Sequence, residues 1–293
     1  MADAPSSAHQ APVAPALARY TRCEVRSPQG QQALAAYAKA VGAMKARPKD
    51  NQTSWAYQAA MHGTYNKPLA PLWNGCKHFS WWFVAWHRMF VYYFEQIVRA
   101  AVVETGGPAN WALPYWDYEL GGEHASIPDA FRKADGGANP LYVAQRAPGI
   151  NEGARLKRAV TTSRFALARP DFIGSTEFGG GEAPPTPQFW EEAGELEQTP
   201  HNVIHDALGG RGGWMSDPDR AAQDPIFWLH HAQIDRLWAR WNSEGHANPT
   251  HDKTWSQQSF EFFGVDRKLV SKRCIEVVDT VAGLEYDYDR LKP

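Results

Sequence analysis

Seven of the eleven histidines in this chain of 293 residues fall in two groups, one at positions 62, 78 and 87, the other at 201, 205, 230 and 231. This distribution constrains the fold more than any other feature, because imidazoles from distant parts of a chain meet only if its elements bring them together. His201 and His205 stand four apart in PHNVIH. A helix puts both rings on one face a turn apart, a spacing suited to one metal. In the next helical stretch Phe227, His231, Ile234, Trp238 and Trp241 form an a/d-type stripe, which turns His231 to the core and His230 to its flank. The first group cannot occupy one helix. The nine residues from His78 to His87 rotate the face by about half a turn, and Pro68, Pro71 and Gly75 interrupt the chain between His62 and His78. His87 stands inside WWFVAWHRMFVYYF, where an unsatisfied polar group costs on the order of a few kcal/mol, so it requires a partner.

The elements that could gather these residues are legible as patterns. Residues 1–20, rich in Ala, Pro and Ser, predict a flexible N-terminal arm, and 21–293 a single domain with no repeat or obvious linker. Helices are expected over 31–46, 53–62 (stopped by Gly63), 83–104 (ended by Gly106-Gly107-Pro108), 200–208 and 225–241, the last opened by Asp224-Pro225. Residues 105–190 carry most of the Gly and Pro and predict long loops, and alternation of Ile275, Val277, Val278, Tyr286 and Tyr288 predicts a short strand pair in the tail. Other classes are excluded by simple counts. Thirty Lys plus Arg against 32 Asp plus Glu leave no basic excess for nucleic acid. Three cysteines cannot build a disulfide scaffold. The most apolar stretch, Phe79 to Val103, carries His87, Arg88, Glu95, Gln96 and Arg99, too many polar groups for a membrane span. The N-terminus has neither a basic start nor an unbroken apolar run, so the expectation is a soluble protein with no recognisable signal peptide, for which the cytoplasm is favoured without being fixed by the sequence.

Two groups of three histidines on the helices of a bundle make a two-metal site. Neutral imidazoles suit copper, zinc, nickel and iron. A di-iron bundle uses Glu-x-x-His pairs, which neither group offers, and a zinc protease of the H-E-x-x-H type needs a glutamate where this chain has Asn202-Val203-Ile204. Copper fits best.

These residues resemble the tyrosinase family of type 3 copper proteins. The resemblance runs from about Arg26 to Tyr288 and rests on His62, Cys76-Lys77-His78 and Trp86-His87-Arg88, on LPYWDY at 113–118, on His201-Asn202-Val203-Ile204-His205 and on Asp224-Pro225-Ile226-Phe227-Trp228-Leu229-His230-His231. It implies a mainly α fold, an antiparallel four-helix bundle holding a dinuclear copper site, with long loops and a few short strands. His62, His78 and His87 would hold one copper and His201, His205 and His231 the other, with O2 as co-substrate. The activity implied is ortho-hydroxylation of monophenols and oxidation of o-diphenols to o-quinones. The partners would be small phenols, with neither nucleic acid nor membrane, and a copper-delivery partner is compatible. The alternatives are a catechol oxidase, an o-aminophenol oxidase and, from another class, a haemocyanin-like oxygen carrier.

Further roles follow from the same resemblance. Cys76, two before His78, would form a thioether to that ring. Phe227 would pack on a ligand imidazole, and Asp235 would orient a ligand ring, or else pair with Arg236 or Arg240. Gln233 replaces the usual Asn and lengthens the amide. Asn202 and Glu197, with Glu195 as reserve, would hold the water that takes a phenol's proton, although Glu197 could equally stabilise a helix N-terminus. Asp206 would flank the substrate entrance and favour amine-bearing phenols. Tyr286-Asp287-Tyr288 would close the core near Arg22 or Arg26, giving a compact form without the C-terminal shielding domain. Placement alone, not the resemblance, puts Cys23 and Cys274 near those meeting ends, where a pairing is expected.

Overall fold

The computed structural model describes residues 18–133, 136, 138–182 and 192–292. The expected arm lies outside them except for its last three residues. In chain order the main elements are β1 (Tyr20–Arg22), α1 (Pro28–Ala46), α2 (Trp55–His62), α3 (Phe83–Glu104), the short α4 (Arg158–Thr161) and α5 (Arg164–Leu167), and α6 (Val203–Gly209). They continue with α7 (Ile226–Ser243), α8 (Lys253–Ser256), β2 (Ser259–Phe263), β3 (Leu269–Arg273), α9 (Thr280–Leu284) and β4 (Tyr286–Tyr288). The protein is mainly helical, as expected, and the segment between α3 and α6 is mostly irregular.

Three of the four longer helices begin where a side chain can satisfy a free N–H group. The Ser27 hydroxyl accepts from Gly30 N–H at 3.0 Å, so α1 starts three residues before its apolar pattern does. Ser54 caps α2 through Tyr57 N–H at 3.1 Å. Asp224 Oδ1 takes Ile226 N–H at 3.2 Å at the head of α7, but its larger partner is Arg146, buried and bidentate at 2.7 and 2.8 Å. That ion pair spans 78 residues and has no local sequence signal. α3 lacks a capping side chain and is buried nearly all round, with α1 on one side and α7 on the other. Trp228 of α7 stacks on Phe94 of α3, nearly parallel, and its ring also lies 4.7 Å from Phe90.

One carboxylate binds these helices to both strands of the β1–β4 pair. Asp235 accepts from Arg88 of α3, from Arg22 of β1 at 2.9 Å, and from the phenols of Tyr286 and Tyr288 in β4. Arg22 also donates through Nε to Glu95 at 2.8 Å and lies 3.8 Å over the Tyr286 ring. Thus Arg22, not Arg26, meets the Tyr-x-Tyr motif. Asp235 pairs with neither Arg236 nor Arg240 and bonds to no histidine. Arg236 instead meets Asp117 at 3.3 Å and Gln233 at 3.4 Å, and Gln233 donates to Asp117 at 3.2 Å.

The tail differs from its alternation. β1 and β4 pair in parallel, and β2 and β3 form an antiparallel hairpin. Ile275 and Val277 fall in a 3-10 turn, Cys274–Val277, because Glu276 reaches back to Arg273 N–H at 2.8 Å and curls the chain. The expected Cys23–Cys274 bridge is not formed: all three cysteines are free thiols, Cys274 fully buried and Cys23 half-buried with its sulfur 3.8 Å from Thr21 O. Among the described residues no helix is long and apolar enough to cross a membrane.

Candidate metal centre

Helices α2, α3, α6 and α7 deliver His62, His87, His205 and His230-His231, while His78 comes from the loop before α3. His201 comes from the wide turn Glu197–Asn202, which breaks at Thr199 (φ −145°, ψ 116°) and resumes as α6. The structure gathers the candidates as two groups, His62, Cys76, His78 and His87, and His201, His205, His230 and His231, with potential ligand atoms within 4.8 Å of one another in each. The groups adjoin. The ring centroids of His87 and His231 are 4.7 Å apart and those of His78 and His201 5.6 Å.

Backbone carbonyls orient several rings. His62 Nδ1 donates to Pro218 O at 3.0 Å, His87 Nδ1 to Phe83 O at 2.8 Å and His205 Nδ1 to Met215 O at 2.6 Å. Each bond fixes the tautomer that leaves Nε2 with a lone pair. His62 Nε2 and His201 Nε2 are then buried without a partner, as are His231 Nδ1 and both ring nitrogens of His230. His205 Nε2 faces His231 Nε2 at 3.3 Å. Orphaned nitrogens this concentrated are costly in an apolar interior and are what a cation would satisfy. Burial also holds the imidazoles neutral, the form that ligates. It lowers His62 to about 3 and His205 to about 4, and takes His78, His87, His201, His230 and His231 well below their usual range, with neighbouring imidazoles adding to the shift. Nitrogen donors with one adjacent sulfur suit copper.

The surroundings are equally specific. Phe227 packs on His231 with centroids 4.1 Å apart and meets His62 edge-on at 4.9 Å. Cys76 Sγ is 3.6 Å from each ring nitrogen of His78 and 3.3 Å from His87 Nε2. Asn202 Oδ1 accepts from His201 Nδ1 at 2.8 Å. Glu197 is buried, and its carboxyl accepts Phe79 N–H at 2.9 and 3.0 Å. Burial pushes it up to about 8, against the pull of that bond. Glu195 is committed to Arg169 at 2.9 Å, which leaves Glu197 as the glutamate available beside His201. A cleft of about 190 Å³ opens beside the groups, lined by His62, His78, His201, His205 and Asn202, with exposed Asp206 at its margin.

His230 departs from its helical phase. It is fully buried within the second group, its ring nearly parallel to His201 at 5.5 Å and 5.8 Å from Tyr118, whose hydroxyl also lacks a partner. The stripe turned His231 inward correctly, but a helix buried all round has no exposed flank on which to leave His230.

The described geometry agrees with comparisons to known proteins. The family model for the common central domain of tyrosinase matches residues 52–176 and 175–244. A tyrosinase of Hahella sp. (strain CCB-MM4), HcTyr1, is 35% identical over 291 residues, covering 87% of this chain and 60% of that protein. The latent chloroplastic polyphenol oxidase of Prunus armeniaca is 25% identical over 287 residues, covering 87% and 46%. The chain therefore spans about half of each of these relatives. Among solved structures, polyphenol oxidase of Vitis vinifera superposes with a TM-score of 0.76 at 23% identity, covering 99% of this chain and 91% of that one. The tyrosinase of Burkholderia thailandensis gives 0.65 at 17%, covering 92% and 75%.

Proposed function

The chain belongs to the tyrosinase family, and from that premise we propose that residues 21–293 form one catalytic unit, a dicopper oxidase that ortho-hydroxylates monophenols and oxidises o-diphenols to o-quinones with O2. The observation that carries this reading is the convergence of two groups of neutral imidazoles, all buried except the half-buried His78, several with free nitrogens shut away from solvent, beside an open cleft. His62, His78 and His87 would hold one copper, and His201, His205 and His231 the other. His231 completes the second set rather than His230, because its ring faces His87 across the gap between groups. Bound copper supplies the redox chemistry with O2.

The protein's own residues orient, exclude and move protons. Phe227 and Phe83 wall the imidazoles from solvent, Phe83 lying 4.6 Å from both His87 and His201. A neutral phenol, with pKa about 10, must lose its proton to become a good ligand. Asn202, on the cleft wall, and Glu197, behind Phe79, are the pair we assign to receiving it. A carboxyl raised by burial is a stronger base toward a phenol than an ordinary one. Cys76 is equidistant from both nitrogens of His78, as a sulfur facing Cε1 is, which supports a thioether there.

Copper analysis with monophenol and diphenol assays tests the reading, and Asn202→Ala tests the proton route. That variant should lose monophenol hydroxylation by about a hundredfold while keeping most diphenol oxidation. Unchanged hydroxylation would remove Asn202 from the step. The catechol oxidase reading is favoured by one observation, the commitment of Asn202 Oδ1 to His201, and wild-type protein that oxidises catechol but never hydroxylates tyrosine would establish it.

Asp206 makes the substrate class more specific. An exposed carboxylate at the cleft margin attracts a cation with about 1 kcal/mol at close range in water. Tyramine should therefore be preferred over 4-hydroxyphenylpropionate, and Asp206→Asn should cut that ratio of kcat/KM by about fivefold. Equal values for the two phenols in wild type would refute it.

A further inference from the structure

We propose that Tyr65, which lies outside both histidine groups, is a positioning residue: through Asp217 it latches the segment 214–221 that holds one histidine of each group. The proposal rests on the reading that those histidines bind copper. Two carbonyls of that segment, Met215 O and Pro218 O, accept the outer nitrogens of His205 and His62, three residues apart in the chain and one from each group. The same stretch forms a wall of the cleft through Met215, Ser216, Pro218 and Ala221. No other described segment bonds to a histidine of both groups.

Backbone carbonyls orient a ring only as well as their own chain is fixed. On the α6 side the segment is pinned by Ser216, whose hydroxyl donates to Gly210 O at 2.6 Å, and by Gly209, where a Cβ would come within 2.1 Å of Ser216 N. On the α2 side Gly63 allows the approach, since a Cβ there would meet Pro218 O at 2.4 Å. What closes that side is Tyr65. Its phenol donates to Asp217 Oδ1 at 3.0 Å, and the same oxygen accepts Asp219 N–H at 3.1 Å, so the bond grips the turn that presents Pro218 O. The Asp217 carbonyl accepts from the N–H groups of Arg220 and Ala221 at 2.9 and 2.8 Å, which carries the constraint to the end of the segment. Tyr65 is 62% exposed, so its ring contributes little to the core, and burial does not explain its placement.

An outer-sphere bond of this kind is worth about 10- to 100-fold in metal affinity. The test is titration of metal-free protein with Cu(I) against a competing chelator, together with amide hydrogen exchange across residues 62–65 and 214–221 before copper is added. Tyr65→Phe should bind copper about tenfold more weakly and exchange faster at 214–221, with an unchanged thermal midpoint. Asp217→Asn keeps the acceptor oxygen and should behave as wild type. Wild-type affinity in Tyr65→Phe overturns the latch, and so does weakened affinity with unaltered exchange at 214–221. Failure of wild-type protein to take up two copper ions overturns the reading of the site, and the latch with it. Should Tyr65→Phe not fold, Asp217→Ala removes the acceptor and is judged by the same two readouts.

Discussion

Asp235→Ala is expected to cost at least 3–5 kcal/mol of folding stability, about what breaking one buried ion pair costs when its partner stays behind. Here the substitution leaves two fully buried guanidiniums, Arg22 and Arg88, short of their shared carboxylate, and removes the acceptor of the Tyr286 phenol and of one bond from Tyr288. Burial alone would raise the Asp235 carboxyl, but Arg88, Arg22 and the two phenols more than offset it and hold it below its usual range. Against a total stability of about 5–15 kcal/mol, the loss is a large fraction. Thermal denaturation of metal-free protein should show a midpoint lower by roughly 10 °C. Arg240→Ala, which breaks a partly exposed pair with Glu244 at the C-terminal end of α7, should change stability by less than about 1 kcal/mol. If the two variants were equally stable, the buried network would contribute nothing net.

Acid should be nearly as damaging to the metal-free protein. The unfolded chain holds its histidines near 6.5, whereas burial depresses His62 to about 3 and His205 to about 4 in the fold. Between those limits the unfolded state binds more protons, so stability is complete above pH 6.5 and falls as pH drops toward the folded values. At pH 5 each of these two residues withdraws about 2 kcal/mol. The five others, depressed in the same direction, act together with them. A metal-free sample scanned from pH 7.5 to 5 should lose most of its thermal stability, and copper should restore part of it by competing with protons for the same nitrogens. A melting temperature constant across that range would show that the rings escape to solvent before they charge.

How much of this was readable from sequence depended on distance along the chain. The limits of α3 are legible because a helix buried on nearly every side is dense in large apolar residues all round, with only a few polar ones among them, and is closed by Gly106-Gly107-Pro108. The histidine groups were readable because ligands must be particular residue types, so clustering alone exposes them. What hid was carried by the backbone or by distant partners. Met215 and Pro218 act through carbonyls that every residue possesses. Asp235 meets Arg88 across 147 residues and Arg22 across 213, so the sequence suggests only local roles for it, a ligand ring one turn away or Arg236 or Arg240. In the tail the buried pair is Cys274 and Val277, three apart as a 3-10 turn requires, and the spacing of Ile275 and Val277 by two is too short a run to mark a strand.

The parallel pairing of β1 with β4 also sets an order of events in time. Arg22 and Tyr288 are 266 residues apart, and Arg22 acquires its aromatic and phenolic neighbours only when β4 has been synthesised. On the ribosome, Arg22, Arg88 and Asp235 emerge before the strand that completes their network, at a separation where loop closure is slow. Until then the carboxylates of Glu95 and Asp235 balance the two guanidiniums, but Asp235 lacks its two phenol donors and Arg22 its aromatic cover. His231 precedes Asp235 by one helical turn, so the last strand to be made closes over the helix that carries the second histidine group.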